Sequence, residues 1–280
     1  MVEPENVNFG WIKQEPDSRD FTIKPALMFS AEQLPASVDL RSGCPLIVDQ
    51  GNLGSCTACA GQGMVDFTLK KEGHPFLVGS RLFLYYNTRV KIEHSPAKKD
   101  TGCTIRGTLK SLATYGICKE STWPYVIANF SKAPTAKMLT EGAQYQALAY
   151  ASLDPVGSSP SQILTNVKSM LASGWPCDFG FDVYPSYKTV GSNGLWPYPK
   201  ATEIQAGGHS VVAVGYDDSV TCPNATKGAF LCRNSWGTSF GLNGYFYLPY
   251  DYVIKPFQGV ALASDWWTLA KEEYMNKGVV

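Results

Sequence analysis

The spacing of hydrophobic residues changes along this chain, and the change constrains the fold more than any other sequence feature. In the first part they recur at helical intervals, which predicts helices over 56–71, 80–91 and 105–115. Beyond about residue 175 they form short β-type runs broken by glycine, proline and asparagine, namely CDFGFDVY, SVVAVGYDD, GAFLCRNSW and GYFYLPY. A helical part followed by a strand-rich part predicts an α+β protein.

The first 33 residues differ from both parts. They are polar, contain prolines and show no periodicity, which predicts an extended leader rather than a folded unit. Their start has neither a basic stretch nor an apolar run, so we expect no signal peptide in them. Residues 1–33 are called the leader below.

Composition excludes two classes of partner. Lys plus Arg and Asp plus Glu number 24 each, so the chain lacks the basic excess that nucleic acids and anionic membrane surfaces attract. Its apolar runs fall far short of the roughly 20 residues that cross a bilayer. We therefore expect neither a nucleic acid nor a membrane as partner.

The segment GSCTACA places Cys56 and Cys59 three residues apart at the start of a predicted helix. Zinc would need a second Cys or His pair at similar spacing, and none recurs, so we expect no metal and no cofactor. A dithiol redox site would follow a strand, whereas the glycine-rich loop DQGNLGSC precedes this pair. A nucleophile at a helix N-terminus is the third interpretation, and it requires an imidazole with a group that orients it. We assign no disulfide among the eight cysteines.

Three histidines are candidates for that imidazole. His74 and His94 lie in polar loops, which favours solvated rings. His209 lies in GGHSVVAVGYDD, where glycines allow close approach and an apolar strand fixes the ring. Asn234 follows the next apolar run and could hold one ring nitrogen, while Trp236 could exclude water.

Four segments, in this order, resemble the papain-like cysteine peptidases, which include the cathepsins: LPASVDLR, DQGNLGSCTACA, GGHSVVAVGYDD and NSWGTSFGLNGYFYL. The similarity extends over about residues 34–250. It implies a two-lobed α+β fold with the active-site cleft between the lobes. Residues 34–127 would form a mainly helical lobe with the nucleophile, and 128–280 a mainly β, barrel-like lobe with the histidine and the asparagine.

The resemblance also implies roles for individual residues. Cys56 would be the nucleophile, His209 the general base and later acid, and Asn234 the residue that orients the imidazole. Gln50 would donate to the oxyanion, and Trp236 would shield the His–Asn pair. Polypeptides would be the substrates, protein inhibitors of cysteine proteases would be further partners, and the protein would be a monomer. The sequence leaves the cellular compartment open, with a secreted or lysosome-like one favoured.

Some positions depart from the family pattern. Thr57 and Phe240 stand where tryptophans are usual, and Gly208 stands where Asn or Asp is common. Ile105 and Arg106 stand where a glycine pair usually binds the substrate backbone. These departures leave the subsite preference open.

The family's pocket for the second residue before the scissile bond would involve Gly180 and Ser210. Both are small, which predicts room for a bulky apolar side chain.

Three alternatives stay open from the sequence. The leader either lies across the cleft and blocks it or packs elsewhere on the surface. Cys59 either forms a reversible disulfide with Cys56 or is a buried apolar thiol. The protein is either an endopeptidase, a papain-like binding protein without turnover, or a transferase that passes its acyl group to an amine.

Overall fold

The computed structural model describes residues 8–23, 33–147, 149–269 and 275–276. The α-helices in these ranges are α1 Cys56–Lys71, α2 Arg81–Tyr86, α3 Ile105–Tyr115, α4 Ala136–Gly142, α5 Pro160–Ala172 and α6 Asp251–Ile254. The strands are β1 Thr22–Ile23, β2 Ser37–Asp39, β3 Tyr150–Ser152, β4 Cys177–Val183, β5 Gly207–Thr221, β6 Lys227–Arg233, β7 Tyr245–Pro249, β8 Ala263–Leu269 and β9 Met275–Asn276. The predicted α+β class is confirmed.

The strongest periodic segments fold as predicted. Helices α1 and α3 have the predicted bounds, and the predicted helix over 80–91 is α2 followed by a π-helix, Asn87–Ile92. The four β-type runs form β4, β5, β6 and β7. The sequence analysis missed α5 and β8, both of which contribute to the core.

Helix α1 lies at the centre of the helical part. Its residues are buried on all sides from Cys56 to Phe67, as expected for a helix that is surrounded by other elements. It packs against α2 and α3 on one side and against β5 on the other. Gly61 permits the close contact with α3, because a Cβ there would lie 2.9 Å from Thr108 Cγ2.

The strands form one sheet in the order β7-β6-β5-β4-β8-β3-β1-β9, with β2 paired to β5. Strand β5 is its longest member and pairs antiparallel with β2, β4 and β6. One face of the sheet is covered by an aromatic core that includes Phe179, Phe181, Trp196 and Trp266. Val212 and Val214 of β5 pack instead with the helical core, so β5 joins the two parts.

The leader contributes residues 8–23 and residue 33 to the described structure. Thr22 and Ile23 form β1, which pairs with β3 and β9. Upstream, Trp11 is paired with Cys103, which lies just before α3. Among the described helices, none is long and apolar enough to cross a membrane.

Candidate active site

Cys56 is the first residue of α1, and its side chain is fully buried. The loop before it has no periodicity, so the apolar run from Ala58 onward determines where the helix begins. The positive end of the helix dipole therefore lies at the sulfur and favours a thiolate. The backbones of Ser210 and Gly10 lie near enough to the sulfur to act on the pKa of the Cys56 thiol, and both lower it.

His209 projects from β5, opposite Phe181 of β4. Its Nε2 atom lies 2.8 Å from Oδ1 of Asn234, which directly follows β6. An amide oxygen can only accept, so Nε2 carries the proton and Nδ1 is the basic atom. Nδ1 is buried and has no hydrogen-bond partner among the described residues. This is the tautomer that proton transfer with a thiol requires.

Gln50 connects the nucleophile loop to the asparagine loop. Its backbone N–H donates to the Ser235 carbonyl over 2.8 Å, and its Oε1 accepts from the Ser235 hydroxyl over 2.7 Å. With Oε1 held in this way, the Nε2 group points toward the loop before α1, where it donates to the Leu53 carbonyl at 3.0 Å. The amide orientation is thus determined by its partners.

Trp236 covers the imidazole. The two rings are stacked with centroids 4.6 Å apart and an interplanar angle of 26°. Phe240, which replaces a tryptophan of the family pattern, packs edge-on against Trp236 at 4.8 Å. His209 and Asn234 are both buried beneath these rings, and the shielding role of Trp236 stays a prediction.

The leader covers this site from the solvent side. Phe9 makes edge contacts with the rings of His209 and Trp236, at 6.5 Å and 6.3 Å. The Asn8 carbonyl accepts from Gln50 Nε2 over 3.1 Å. A Cβ on Gly10 would lie 1.9 Å from the Gly54 carbonyl oxygen, so only glycine permits this approach to the nucleophile loop.

Trp11 fills a pocket beside the site. Its indole lies against Gly180 and Gly208, where an added Cβ would come within 1.9 Å and 2.6 Å of the ring. The backbone N–H of Trp11 donates to the Gly208 carbonyl at 3.0 Å. At the far end of the ring, Nε1 donates to Oδ2 of Asp265 at 3.0 Å.

Burial determines the protonation of the covered pair. Burial raises the pKa of the Cys56 thiol to about 12. This effect is larger than the lowering of the pKa by the neighbouring backbone groups. Burial lowers the pKa of His209 to about 4, against the opposite effect of the hydrogen bond that His209 donates to Asn234. At neutral pH the covered site therefore holds a neutral thiol and a neutral imidazole rather than the reactive ion pair.

The structure brings the predicted site residues together, although the roles of these residues stay predictions. Gln50, His209 and Trp236 contact leader residues Asn8 and Phe9, the Gly10 backbone lies near Cys56, and Asn234 holds His209. Gly180 lines the pocket that Trp11 fills. Ser210 contributes its backbone, because its hydroxyl is turned away and donates to Asp178 at 2.8 Å.

The backbone pairing beside the cleft is made by Cys103. Its N–H donates to the Gly10 carbonyl and its carbonyl accepts from the Ile12 N–H, at 2.8 Å and 3.0 Å. Ile105 and Arg106, where the family pattern would place a backbone-binding glycine pair, instead begin α3. The Arg106 side chain binds the leader, since its Nε donates to Asp20 over 2.9 Å.

All eight cysteines lie in described residues, and all are free thiols there. Cys59 is buried one turn after Ser55, whose hydroxyl lies 4.0 Å from its sulfur. The predicted exchange between a Cys56–Cys59 disulfide and free thiols stays a prediction.

The fold and the arrangement of these residues agree with what comparison with known proteins shows. The chain belongs to the papain family of cysteine proteases, because the sequence profile of the "Papain family cysteine protease" matches residues 34–255. It is a papain-like cysteine protease with the two-part α+β fold of that family.

Individual relatives show how far the similarity extends. An "uncharacterized peptidase C1-like protein" of Acanthamoeba polyphaga mimivirus is 35% identical over 282 residues, which cover 94% of this chain and 86% of the relative. The solved structure of xylellain, a cysteine protease from Xylella fastidiosa, is 32% identical with a TM-score of 0.78, over 95% of this chain and 97% of that one. Procathepsin L of Mus musculus is 28% identical over 78% of this chain, which spans only 61% of that longer protein.

Sequence reasoning missed several residues that contact the site. Phe9 and Trp11 flank a glycine in the leader, and this aromatic-glycine-aromatic pattern in a polar segment was a usable sign of burial. Asp265 lies in β8, far along the chain, and Cys103 contributes only backbone atoms. No local pattern points to either of them.

Proposed function

We propose that this protease is an endopeptidase that forms an acyl-enzyme at Cys56. The observation that carries the proposal is the oriented imidazole: His209 is held by Asn234 through Nε2, which leaves Nδ1 as its basic atom, in the same cleft as a cysteine at a helix N-terminus. With the thiol proton on His209, the thiolate attacks the peptide carbonyl carbon. The imidazolium then protonates the leaving amine, and a water molecule activated by the neutral ring hydrolyses the thioester.

The charge that develops on the carbonyl oxygen needs preorganised donors. Gln50 Nε2 supports this role because Oε1 is held by Ser235, so the donor group cannot turn away. The backbone N–H of Cys56, the first of α1, is a second candidate donor.

We further propose that the protein is made as a zymogen and that the leader blocks the cleft. Support comes from the three points that the leader occupies. The Asn8 carbonyl accepts from the oxyanion donor Gln50, Phe9 covers His209, and Trp11 fills the adjacent pocket. The Gly10 carbonyl accepts from the Cys103 N–H at 2.8 Å, so it is not directed to Gln50 in the manner of a substrate carbonyl that is under attack.

Covalent labelling of Cys56 tests whether this residue is the nucleophile. A cysteine-directed epoxide should label Cys56 in the wild-type chain during prolonged incubation, as located by peptide mass mapping, and His209→Ala should remove the labelling. His94→Ala is the control, because this histidine lies in a loop away from the site and should leave labelling unchanged. Labelling that is independent of His209 would contradict the proposed role of the imidazole.

Reaction products separate the three functional classes. Peptides blocked at both ends should be cut internally, with water as the acyl acceptor. Products extended by an added amine would indicate a transferase instead. Labelling of Cys56 without any product would indicate a binding protein.

The blocking role of the leader is tested in the full chain by a substitution that weakens the contact of the leader with the cleft. Phe9→Ala removes the ring that covers His209 and Trp236 and should speed epoxide labelling of Cys56 and peptide turnover together, by about tenfold or more. Phe21→Ala, at a leader residue that is 40% exposed, is the matched control and should change neither rate. Equal rates in the wild type and in Phe9→Ala would contradict the blocking role.

A further inference from the structure

The leader crosses the cleft through a narrow slot whose two walls are glycine backbone. One wall is Gly54, two residues before the nucleophile, and the other is Gly102, directly before the Cys103 backbone that pairs with the leader. Gly10 of the leader lies between the walls. A Cβ on Gly10 would lie 1.9 Å from the Gly54 carbonyl oxygen, and a Cβ on Gly102 would lie 2.2 Å from the Gly10 carbonyl oxygen. A chain that passes through this slot therefore contacts both walls.

Two side chains, those of Asp100 and Tyr85, connect the two walls. Oδ2 of Asp100 accepts from the Gly54 backbone N–H at 2.9 Å. Its Oδ1 accepts from the Tyr85 hydroxyl, whose oxygen in turn accepts from the Gly102 backbone N–H at 3.1 Å. A continuous chain of hydrogen bonds through the Asp100–Tyr85 pair thus joins one wall of the slot to the other.

Burial keeps the Tyr85 hydroxyl in its donating form. Tyr85 is fully buried, and burial raises the pKa of its hydroxyl above the usual value of 10.0. The hydroxyl therefore keeps its proton at neutral pH and donates it to the Asp100 carboxylate. A hydrogen bond to a charged acceptor is shorter and stronger than a neutral one, so it restrains the two side chains more tightly.

The segment that carries Asp100 is held by a buried cation. Arg89 is fully buried within the π-helix Asn87–Ile92, an uncommon kind of element that is often found at functional sites. Its guanidinium lies over the Tyr85 ring, 4.9 Å from the centroid. It also donates to backbone carbonyls of the segment directly before Asp100, which are those of Pro96, Ala97 and Lys99. The position of the Asp100 carboxylate is therefore restrained on both sides.

Both walls of the slot lead into groups that the reaction needs. Next to Gly54, the Leu53 carbonyl accepts at 3.0 Å from Nε2 of Gln50, the proposed oxyanion donor. Cys56, two residues after Gly54, carries the sulfur and the second candidate oxyanion donor. The opposite wall continues into Cys103, whose backbone groups pair with the leader. A change in the width of the slot would therefore move a paired peptide relative to the nucleophile.

On the basis of the proteolytic function proposed above, we propose that Asp100 is a positioning residue, which with Tyr85 fixes the width of the slot. A peptide paired with Cys103 then has its carbonyl carbon within reach of the Cys56 sulfur. Asp100 acts on this geometry through Gly54 and takes no part in bond making or breaking. A misplacement of about 1 Å between the reacting atoms can cost about 100-fold in rate, so a restraint on the slot has a large effect.

The first test compares two labelling reactions at Cys56 in the Phe9→Ala chain and needs no turnover. Iodoacetamide is small and requires only an accessible sulfur. An epoxysuccinyl peptide must also lie in the slot and pair with Cys103 while the sulfur attacks its epoxide carbon. The ratio of the two rates, peptide epoxide to iodoacetamide, therefore reports the alignment of the walls and does not depend on how often the leader leaves.

Asp100→Ala should lower this ratio about tenfold, because it disconnects the two walls. Asp100→Asn should keep the ratio within about threefold of the parent, since its amide oxygen can accept from Gly54 and its amide nitrogen can donate to Tyr85. Asn8→Ala is the matched control. Asn8 Nδ2 donates to the same Asp100 oxygen at 2.6 Å, so its loss loosens the leader and should raise both rates together, with the ratio unchanged.

Tyr85→Phe is a second variant, which removes one hydroxyl and keeps the packing of the ring. It should lower the ratio as well, and Asp100→Ala should add little to it in the double variant, because either change breaks the same chain of hydrogen bonds. Effects that multiply in the double variant would contradict a joint role of the two side chains. A ratio that stays unchanged in both single variants would overturn the proposal.

Peptide hydrolysis by the same chains separates the positioning role from the proteolytic function. Asp100→Ala should lower kcat about tenfold and by more than it raises KM. If the parent hydrolyses peptides and neither kcat nor the labelling ratio changes in Asp100→Ala, the positioning role is wrong and proteolysis stands. If the parent hydrolyses no peptide while the ratio falls as expected, proteolysis is wrong and the positioning role stands.

Discussion

At the scale of single residues, the site depends on side chains whose orientation is fixed by a partner. Asn234 determines which nitrogen of His209 carries the proton, and Ser235 determines which end of Gln50 faces the cleft. Sequence motifs indicated His209 and Asn234, and the resemblance to the papain-like peptidases indicated Gln50; their catalytic roles stay predictions. The Ser235 contact is tertiary and could not be read from any local pattern.

We expect Gln50→Glu to reduce kcat by about 100- to 1000-fold with little change in KM, as is typical when one oxyanion donor is lost. The glutamate has nearly the same shape but replaces the N–H donor by an acceptor. The measurement is steady-state hydrolysis of a blocked peptide by the Phe9→Ala chain. Ser235→Ala, which keeps the Gln50 donor and loses only its restraint, should reduce kcat by less than about tenfold. Equal activity of Gln50→Glu and its parent would contradict the oxyanion role.

At the scale of elements, predictability follows from how local the signal is. Helices α1 and α3 have apolar residues at helical spacing, strands β4 to β7 are short apolar runs bounded by turn residues, and the structure contains all of them. Helix α5 has a local signal of another kind, at its N-terminus. Ser159 is its N-cap with Pro160 next, and Gln162 completes a capping box, with its Oε1 accepting from the Ser159 N–H at 2.8 Å. Strand β8 is defined by its pairing with β4, a contact about 85 residues away that periodicity cannot indicate.

The pairing of β4 with β5 buries a carboxyl group whose effect on stability depends on pH. Asp178 is fully buried, its Oδ1 accepts from Ser210, and its Oδ2 has no partner in the described structure. Burial raises the pKa of Asp178 well above its usual value of 3.8. The folded state thus binds a proton that the unfolded state has released, and the free energy of unfolding falls as the pH rises above 3.8.

Asp178→Asn should therefore flatten this dependence, because an amide stays neutral at every pH. Relative to the wild type, the variant should gain stability steadily as the pH rises from 4 to 8, as measured by urea unfolding at each pH. Asp217→Asn on β5 is the control, and the pH dependence of its stability relative to the wild type should have the opposite sign. Hydrogen bonds from Ser219 lower the pKa of Asp217, so that variant should show a small loss near pH 7 that disappears toward low pH. A constant difference between Asp178→Asn and the wild type across this range would contradict a neutral Asp178.

At the scale of the whole molecule, the leader joins the two parts of the fold across their cleft. It pairs with Cys103 on the helical side, with Gly208 on the sheet side, and with β3 through β1. Its course could not be predicted, because an extended segment without periodicity is positioned by the surface that it covers. The sequence therefore left the blocking and non-blocking arrangements open.

An ion pair between Arg106 and Asp20 anchors the leader to the start of α3. Arg106 binds Asp20 through two guanidinium nitrogens and also donates to the Glu15 carbonyl at 3.0 Å. Both side chains are mostly buried, at 14% and 16% exposure, so solvent screens this pair less than a surface pair. The departure from the family's glycine pair at this position is thus matched by a contact with the chain's own leader.

We expect Arg106→Ala to speed alkylation of Cys56 in the full chain by about tenfold, the effect of losing about 1.4 kcal/mol of charge-assisted hydrogen bonding. Arg19→Ala is the matched control, because Arg19 pairs with Asp17 of the same leader but its side chain is 88% exposed, and such pairs contribute little. Raising the salt concentration should speed alkylation of the wild type and leave Arg106→Ala nearly unchanged. If both arginine variants behave like the wild type, the leader is held by its aromatic residues and its backbone pairing, and the ion pair serves only to order the start of α3.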